Sequence, residues 1–131
     1  MLVATYMTRH PVTITPRDLL GDAERKMRSG GFRRLPVVDG EWLVGIVSDR
    51  DLKAHNGHLD QTRVTAAMTE NPVTVTSTTL LREAARRMLD YKIDSLPVLE
   101  DGKLVGIVTT SDVLKAFLDS GANEFAPAKA R

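Results

Sequence analysis

Leu35-Pro36-Val37-Val38-Asp39-Gly40-Glu41-Trp42-Leu43-Val44-Gly45-Ile46-Val47-Ser48-Asp49-Arg50-Asp51 returns later in the chain as Leu96-Pro97-Val98-Leu99-Glu100-Asp101-Gly102-Lys103-Leu104-Val105-Gly106-Ile107-Val108-Thr109-Thr110-Ser111-Asp112. Residues 43–47 and 104–108 match letter for letter. Working outward at the same offset of about 61 residues, Pro11-Val12-Thr13 meets Pro72-Val73-Thr74 and Met7-Thr8 meets Met68-Thr69. Residues 7–52 overlie 68–113 without a gap, with roughly 20 identities among about 46 positions. The chain is a tandem of two copies of one supersecondary unit.

Each copy reads as β-α-β-β-α. The β-branched alternation Val12-Thr13-Ile14, or Val73-Thr74-Val75, predicts a short strand. Thr15-Pro16-Arg17-Asp18 supplies a cap hydroxyl, a proline for the first helical position and a first-turn acid. Leu19, Leu20, Ala23 and Met27 then recur at helical spacing until Gly30-Gly31, and Leu80, Leu81, Ala84 and Met88 repeat that stripe. Strands are expected over residues 34–38 and 42–47, turning at Asp39-Gly40, and over 95–99 and 104–108, turning at Asp101-Gly102. A last helix starts near Ser48 or Thr109. Met7, Met27, Met68 and Met88 read as gap-filling core.

A unit of about 50 residues cannot bury its sheet face alone. The expected fold is therefore α/β of the α+β type, two repeats packed sheet to sheet about a pseudo-twofold axis with two equivalent clefts. Residues 1–60 are expected to form the first repeat with its connector, 61–121 the second, and 122–131 a flexible tail.

Composition narrows the function. The 131 residues are 42% hydrophobic, and 18 Lys plus Arg against 17 Asp plus Glu leave a net charge of +1. No global field draws the chain to nucleic acid or an anionic membrane, so a bound anion must be held locally. There is no cysteine, and the three histidines, His10, His55 and His58, provision a metal site poorly. His55 and His58 with Asp60 lack a fourth ligand and fall in the expected connector, so no metal is assigned. With neither a signal peptide nor an apolar run of spanning length, the expected location is cytoplasmic. No nucleophile elbow, phosphate-binding loop or catalytic cysteine appears, and the repeats consume the chain, so no enzyme activity and no catalytic cofactor are expected.

The twofold Leu-Pro-Val, with its turn and Gly-Ile-Val-[Ser/Thr]-x-x-Asp, resembles the cystathionine β-synthase (CBS) domain family, as a stand-alone tandem pair running from about Val3 to Leu118. That resemblance implies a regulatory cassette binding AMP, ADP, ATP or S-adenosylmethionine, with the last motif contacting ribose and phosphate. Chemistry agrees with that role. Asp51 or Asp112, acceptor-only when ionised, can take both hydrogens of a ribose diol. Ser48 or Thr109 can donate to phosphate beside the polarised helix start. Adenine would lie against Val12, Thr13, Ile14 and Ile46, or Val73, Thr74, Val75 and Ile107, and against the residues around Leu35-Pro36 and Leu96-Pro97. Ser48-x-x-Asp51 and Thr109-x-x-Asp112 are equally capping boxes, and the two roles can coexist.

The copies part where charge matters. Arg33, Arg34 and Arg50 in the first stand opposite Asp94, Ser95 and Ser111 in the second, so phosphate recognition is expected to lean on the first copy, with Lys92 a weaker contributor. Asp94 would oppose a nearby phosphate, which predicts one strong site rather than two. The module would act through a homodimer or an unidentified regulated protein. RNA binding is not expected without aromatic stacking platforms. The competing reading is a dimerisation or interaction scaffold with no nucleotide site.

Overall fold

The computed structural model describes residues 1–121; the tail expected over 122–131 lies outside them. The elements in order are α1 (Val3–Tyr6), β1 (Thr8–Arg9), α2 (Leu20–Gly30), β2 (Arg34–Asp39), β3 (Trp42–Ser48), α3 (Asp49–Ala54), a 3-10 turn (Leu59–Gln61), α4 (Val64–Ala67), β4 (Thr69–Glu70), β5 (Val75–Thr76), α5 (Leu81–Tyr91), β6 (Ser95–Glu100), β7 (Lys103–Thr109) and α6 (Thr110–Asp119). The strands run β2-β3-β7-β6-β5, with β1 on β7 and β4 on β3.

Both expected hairpins form, with the antiparallel pairs Leu35↔Val47 and Leu96↔Val108. Their turns differ chemically. Asp101 and Gly102 both have positive φ, 52° and 80°, as a two-residue type I′ turn requires, whereas the first hairpin turns on Gly40 (φ 66°) followed by Glu41. The turn glycines are thus one position out of repeat register. Each hairpin also carries a bulge, beside Val37/Val38 and Val98/Leu99.

The leading segments exchange between copies. Val3 N–H donates to Thr79 O at 2.9 Å and Ala4 N–H to Ser77 O at 2.9 Å; their repeat equivalents, Val64 to Asp18 O and Thr65 to Pro16 O, lie at 2.8 and 3.0 Å. Thr8 and Arg9 pair with Ile107 and Gly106, and Thr69 and Glu70 pair with Ile46 and Gly45 in the same reciprocal register. This reciprocity is the pseudo-twofold axis. Trp42↔Lys103, the pair that joins β3 to β7, relates a position to its own equivalent and so lies on the axis. Lys103 Nζ stands 5.9 Å from the Trp42 ring centroid, and its ammonium is 3.4 Å from Glu41.

Each core is consequently built from both copies. Val3 and Met7 are buried with Val75, Leu81, Ala84, Met88, Leu96, Val98, Val108 and Ala116. Val64 is buried with Ile14, Leu20, Ala23, Met27, Leu35, Val37, Val47 and Leu52, with Met68 against them. Glycine is demanded where the exchanged segments cross: a Cβ on Gly106 would lie 2.8 Å from both Met7 Sδ and Thr8 O, and one on Gly45 would lie 2.7 Å from Met68 Sδ and 2.8 Å from Thr69 O.

Two local expectations change. The first helix begins at Leu20, not at Pro16. Asp18 folds back to accept the Thr15 N–H at 3.0 Å, a local turn, and Asp22 accepts the Leu19 N–H at 2.9 Å at the true helix start. The strand expected over 12–14 reduces to a bridge, Ile14 to Val37, while its counterpart forms as β5. Among the described residues no helix is long and apolar enough to cross a membrane.

Candidate functional site

Because β1 lies on β7, the chain that follows β1 runs along the last motif of the other copy. A cleft of about 600 Å³ opens there, within the range that small-molecule sites occupy. Thr8, His10, Pro11 and Val12 line it beside Ile107, Thr109, Thr110 and Ser111. Phe32, Arg33, Arg34 and Pro36 of the first copy face Asp94 and Ser95 of the second across it. Val12 is exposed, and His10 turns the chain there in a left-handed conformation (φ 51°).

Three features carry chemistry. The first is Ser95, a residue of the cleft lining that is 6% exposed and whose buried hydroxyl has no hydrogen-bond partner among the described residues. Such a group ordinarily costs about 1–3 kcal/mol unless something else satisfies it. The second is an ion pair across the copies, Arg34 Nε donating to Asp94 Oδ1 at 2.5 Å. That hydrogen bond, with the Arg34 and Arg33 charges, holds the Asp94 carboxyl below the ordinary value against the opposing effect of desolvation. The third is the start of α6, whose first-turn residues Thr110 and Ser111 line the cleft with their helix dipole toward it.

Both motif acids are folded into caps. Asp112 Oδ2 accepts from Thr109 N at 2.8 Å and from Thr109 Oγ1 at 3.1 Å, while Thr109 Oγ1 accepts from Asp112 N at 3.3 Å. Asp51 and Ser48 repeat this at 2.8, 3.0 and 3.3 Å. The carboxylates are half-buried beside the helix starts, with Oδ1 as the oxygen outside the capping bonds. The two starts differ: α3 runs from Asp49 to Ala54 with Asp49 and Asp51 both in its first turn, whereas α6 runs to Asp119 with Asp112 as its one first-turn acid.

The remaining expected site residues distribute by pseudosymmetry. Val12, Arg33, Arg34 and Pro36 meet Asp94, Ser95, Ile107, Thr109 and Ser111 in this cleft. Ile46, Ser48, Arg50 and Val73 occupy the counterpart positions of Ile107, Thr109, Ser111 and Val12, so Arg50 does not join Arg33 and Arg34 here. Ile14, Leu35, Val75 and Leu96 point into the two cores, and Pro97 is fully buried. Thr13 and Thr74, expected at the site, do not line the cleft; their carbonyls accept from Lys26 Nζ at 2.7 Å and Arg87 Nη1 at 2.6 Å. Thr8, His10, Phe32 and Thr110 line the cleft without having been singled out in the sequence. Their one signal was position, at the edges of the repeated blocks. His55 and His58 assemble no metal cage: among the described residues no group of three or more His, Cys, Asp or Glu gathers.

A pseudo-twofold pair of β-α-β-β-α units with a cleft at their junction defines a class of paired-repeat modules. The chain belongs to the CBS domain family, whose model matches it twice, over residues 3–56 and 64–119. It is 42% identical over 111 residues to inosine-5'-monophosphate dehydrogenase of Korarchaeum cryptofilum, a match covering 83% of this chain and 23% of that enzyme. The chain therefore spans less than a quarter of that relative. Among solved structures it is similar to CBSX2 of Arabidopsis thaliana in complex with AMP, at TM-score 0.84 and 35% identity, covering 92% of this chain and 98% of that one. It is also similar to the CBS domain pair of MJ0100 in complex with 5-methylthioadenosine and S-adenosylmethionine, at TM-score 0.82 and 27% identity, covering 89% and 99%.

Proposed function

We propose that this chain is a non-catalytic cytoplasmic sensor that binds an adenosine-containing ligand in the cleft between its two repeats. The observation that carries this reading is a cleft lined by two arginines, a helix start and Ser95, whose buried hydroxyl has no partner among the described residues. A ligand polar atom there would remove the cost of the orphan group. The base would pack on Val12 and Ile107, and the phosphate would face Arg33, Arg34 and the start of α6. Asp112, which caps α6 beside Ser111 but is not itself among the residues lining the cleft, would take the ribose diol through Oδ1. Two similar structures hold adenosine compounds, AMP in one and 5-methylthioadenosine with S-adenosylmethionine in the other, which supports the same ligand class here.

The bound state would be read by an oligomer or by a regulated partner, since binding regulates only where it differs between two states. Leu89, Tyr91, Leu114 and Leu118, more than half exposed on α5 and α6, supply an apolar surface for a homodimer. Thermal melting with millimolar AMP, ADP, ATP and S-adenosylmethionine tests the sensor reading. A ligand at a hundred times its Kd stabilises the fold by about 2.7 kcal/mol, a rise of several degrees. No shift with any of them would leave the scaffold reading.

A further inference from the structure

The ion pair between Arg34 and Asp94 breaks the pseudosymmetry of the molecule. Asp94 is the repeat equivalent of Arg33, and Ser95 of Arg34, so an acid stands where the other copy has a base. All four residues line the one cleft. We propose that the Arg34–Asp94 pair is a charge selector, and that Asp94 restricts the cleft to adenosine ligands carrying a single phosphate, excluding di- and triphosphates. This rests on the reading of the cleft as an adenosine site and names the ligand subclass within it.

Arg33 and Arg34 contribute two positive charges and Asp94 removes one, which leaves +1 from the charged side chains lining the cleft. The start of α6, a ten-residue helix, adds about half a charge, which the capping Asp112 carboxylate offsets. A phosphate monoester carries about −1.5 to −2 near neutral pH, so a single phosphate already uses up the positive charge available. Each further phosphoryl group adds about one more negative charge, which the lining does not meet and which Asp94 repels. Its carboxyl, held low by Arg34, stays ionised at neutral pH. Geometry adds to charge. With Nε committed to Asp94, the guanidinium is fixed in orientation and offers its terminal N–H groups to one phosphate. Ser95, next to Asp94 in the chain, adds a buried hydroxyl without a hydrogen-bond partner among the described residues.

Isothermal titration of AMP, ADP and ATP into the wild type, Asp94→Asn and Asp94→Ala, at one fixed ionic strength, tests the proposal. The wild type should prefer AMP to ATP by about tenfold or more, the scale of one unit charge acting within a few ångströms across a partly screened cleft. Both variants should raise the ATP-to-AMP affinity ratio by about tenfold, mainly through tighter ATP binding. Equal wild-type affinity for ATP and AMP overturns the proposal while leaving the adenosine site intact. So does a ratio that stays unchanged in both variants, including a uniform loss for all three ligands, which would mark Asp94 as structural only. Failure of the wild type to bind any of the three refutes the adenosine reading itself and the selector with it.

Discussion

Gly106→Ala should unfold the molecule earlier and widen its cleft at once, because one glycine serves both. The added Cβ would stand 2.8 Å from Thr8 O and 2.8 Å from Met7 Sδ. The methionine can swing aside, but the carbonyl belongs to β1, whose Arg9 is paired opposite Gly106 itself. Relief therefore means displacing β1 by several tenths of an ångström. Overpacking of this kind costs about 1–3 kcal/mol. Alanine recovers about 0.5–1 kcal/mol of backbone entropy relative to glycine, so the net loss lies within about 0–2.5 kcal/mol and centres on about 1.25 kcal/mol. For a chain of this size the central value is about 2–10 °C in melting temperature. Gly45→Ala, against Thr69 O and Met68, should behave alike in stability. The two should differ in ligand response: Gly106→Ala moves the segment bearing His10 and Val12 and should weaken any nucleotide-induced shift, whereas Gly45 lies at the counterpart position. Differential scanning fluorimetry reads both quantities. A Gly106→Ala protein melting within a degree of wild type would show that the exchanged segment does not press on β7 as described.

Other perturbations separate the roles further. Asp112→Ala removes an acceptor for Thr109 N–H and should cost about 1–2 kcal/mol by urea titration, yet abolish nucleotide stabilisation; an intact nucleotide shift would reject the ribose role. The depressed Asp94 carboxyl contributes stability that is complete above the unfolded value of about 3.9 and is lost as pH falls through the lower folded value. Urea midpoints of wild type and Asp94→Asn should therefore differ at pH 6 and converge in strong acid, while a constant gap would contradict the ion pair. Leu114→Glu with Leu118→Glu should leave the fold intact and shift a dimer to monomer in sedimentation; unchanged mass would show that α6 is not the contact.

The sequence made the repeat, both hairpins and both caps legible because each rests on local chemistry: β-branched runs, turn glycines, and a hydroxyl three residues before an acid. The helix start misled at Thr15-Pro16-Arg17-Asp18, where a short side chain satisfied its own neighbour instead of opening a helix. The exchange was invisible for a different reason. Val3–Tyr6 and Val64–Ala67 are single turns with no periodicity to read, and their placement is decided by long-range pairing with β7 and β3. Arg33 and Arg34 are held by the backbone beside Ser48 and Asp49 within their own hairpin, yet they line the cleft with Thr109 and Ser111 of the other copy, a long-range combination that no local pattern announces.

The most direct trial of the central idea is a crystal structure grown with millimolar AMP. Nucleotide density between residues 8–12 and the start of α6, with a ligand atom within hydrogen-bonding distance of Ser95 Oγ, is the predicted result. An empty cleft in crystals saturated with the nucleotide, or AMP bound elsewhere with Ser95 still unpartnered, would contradict it.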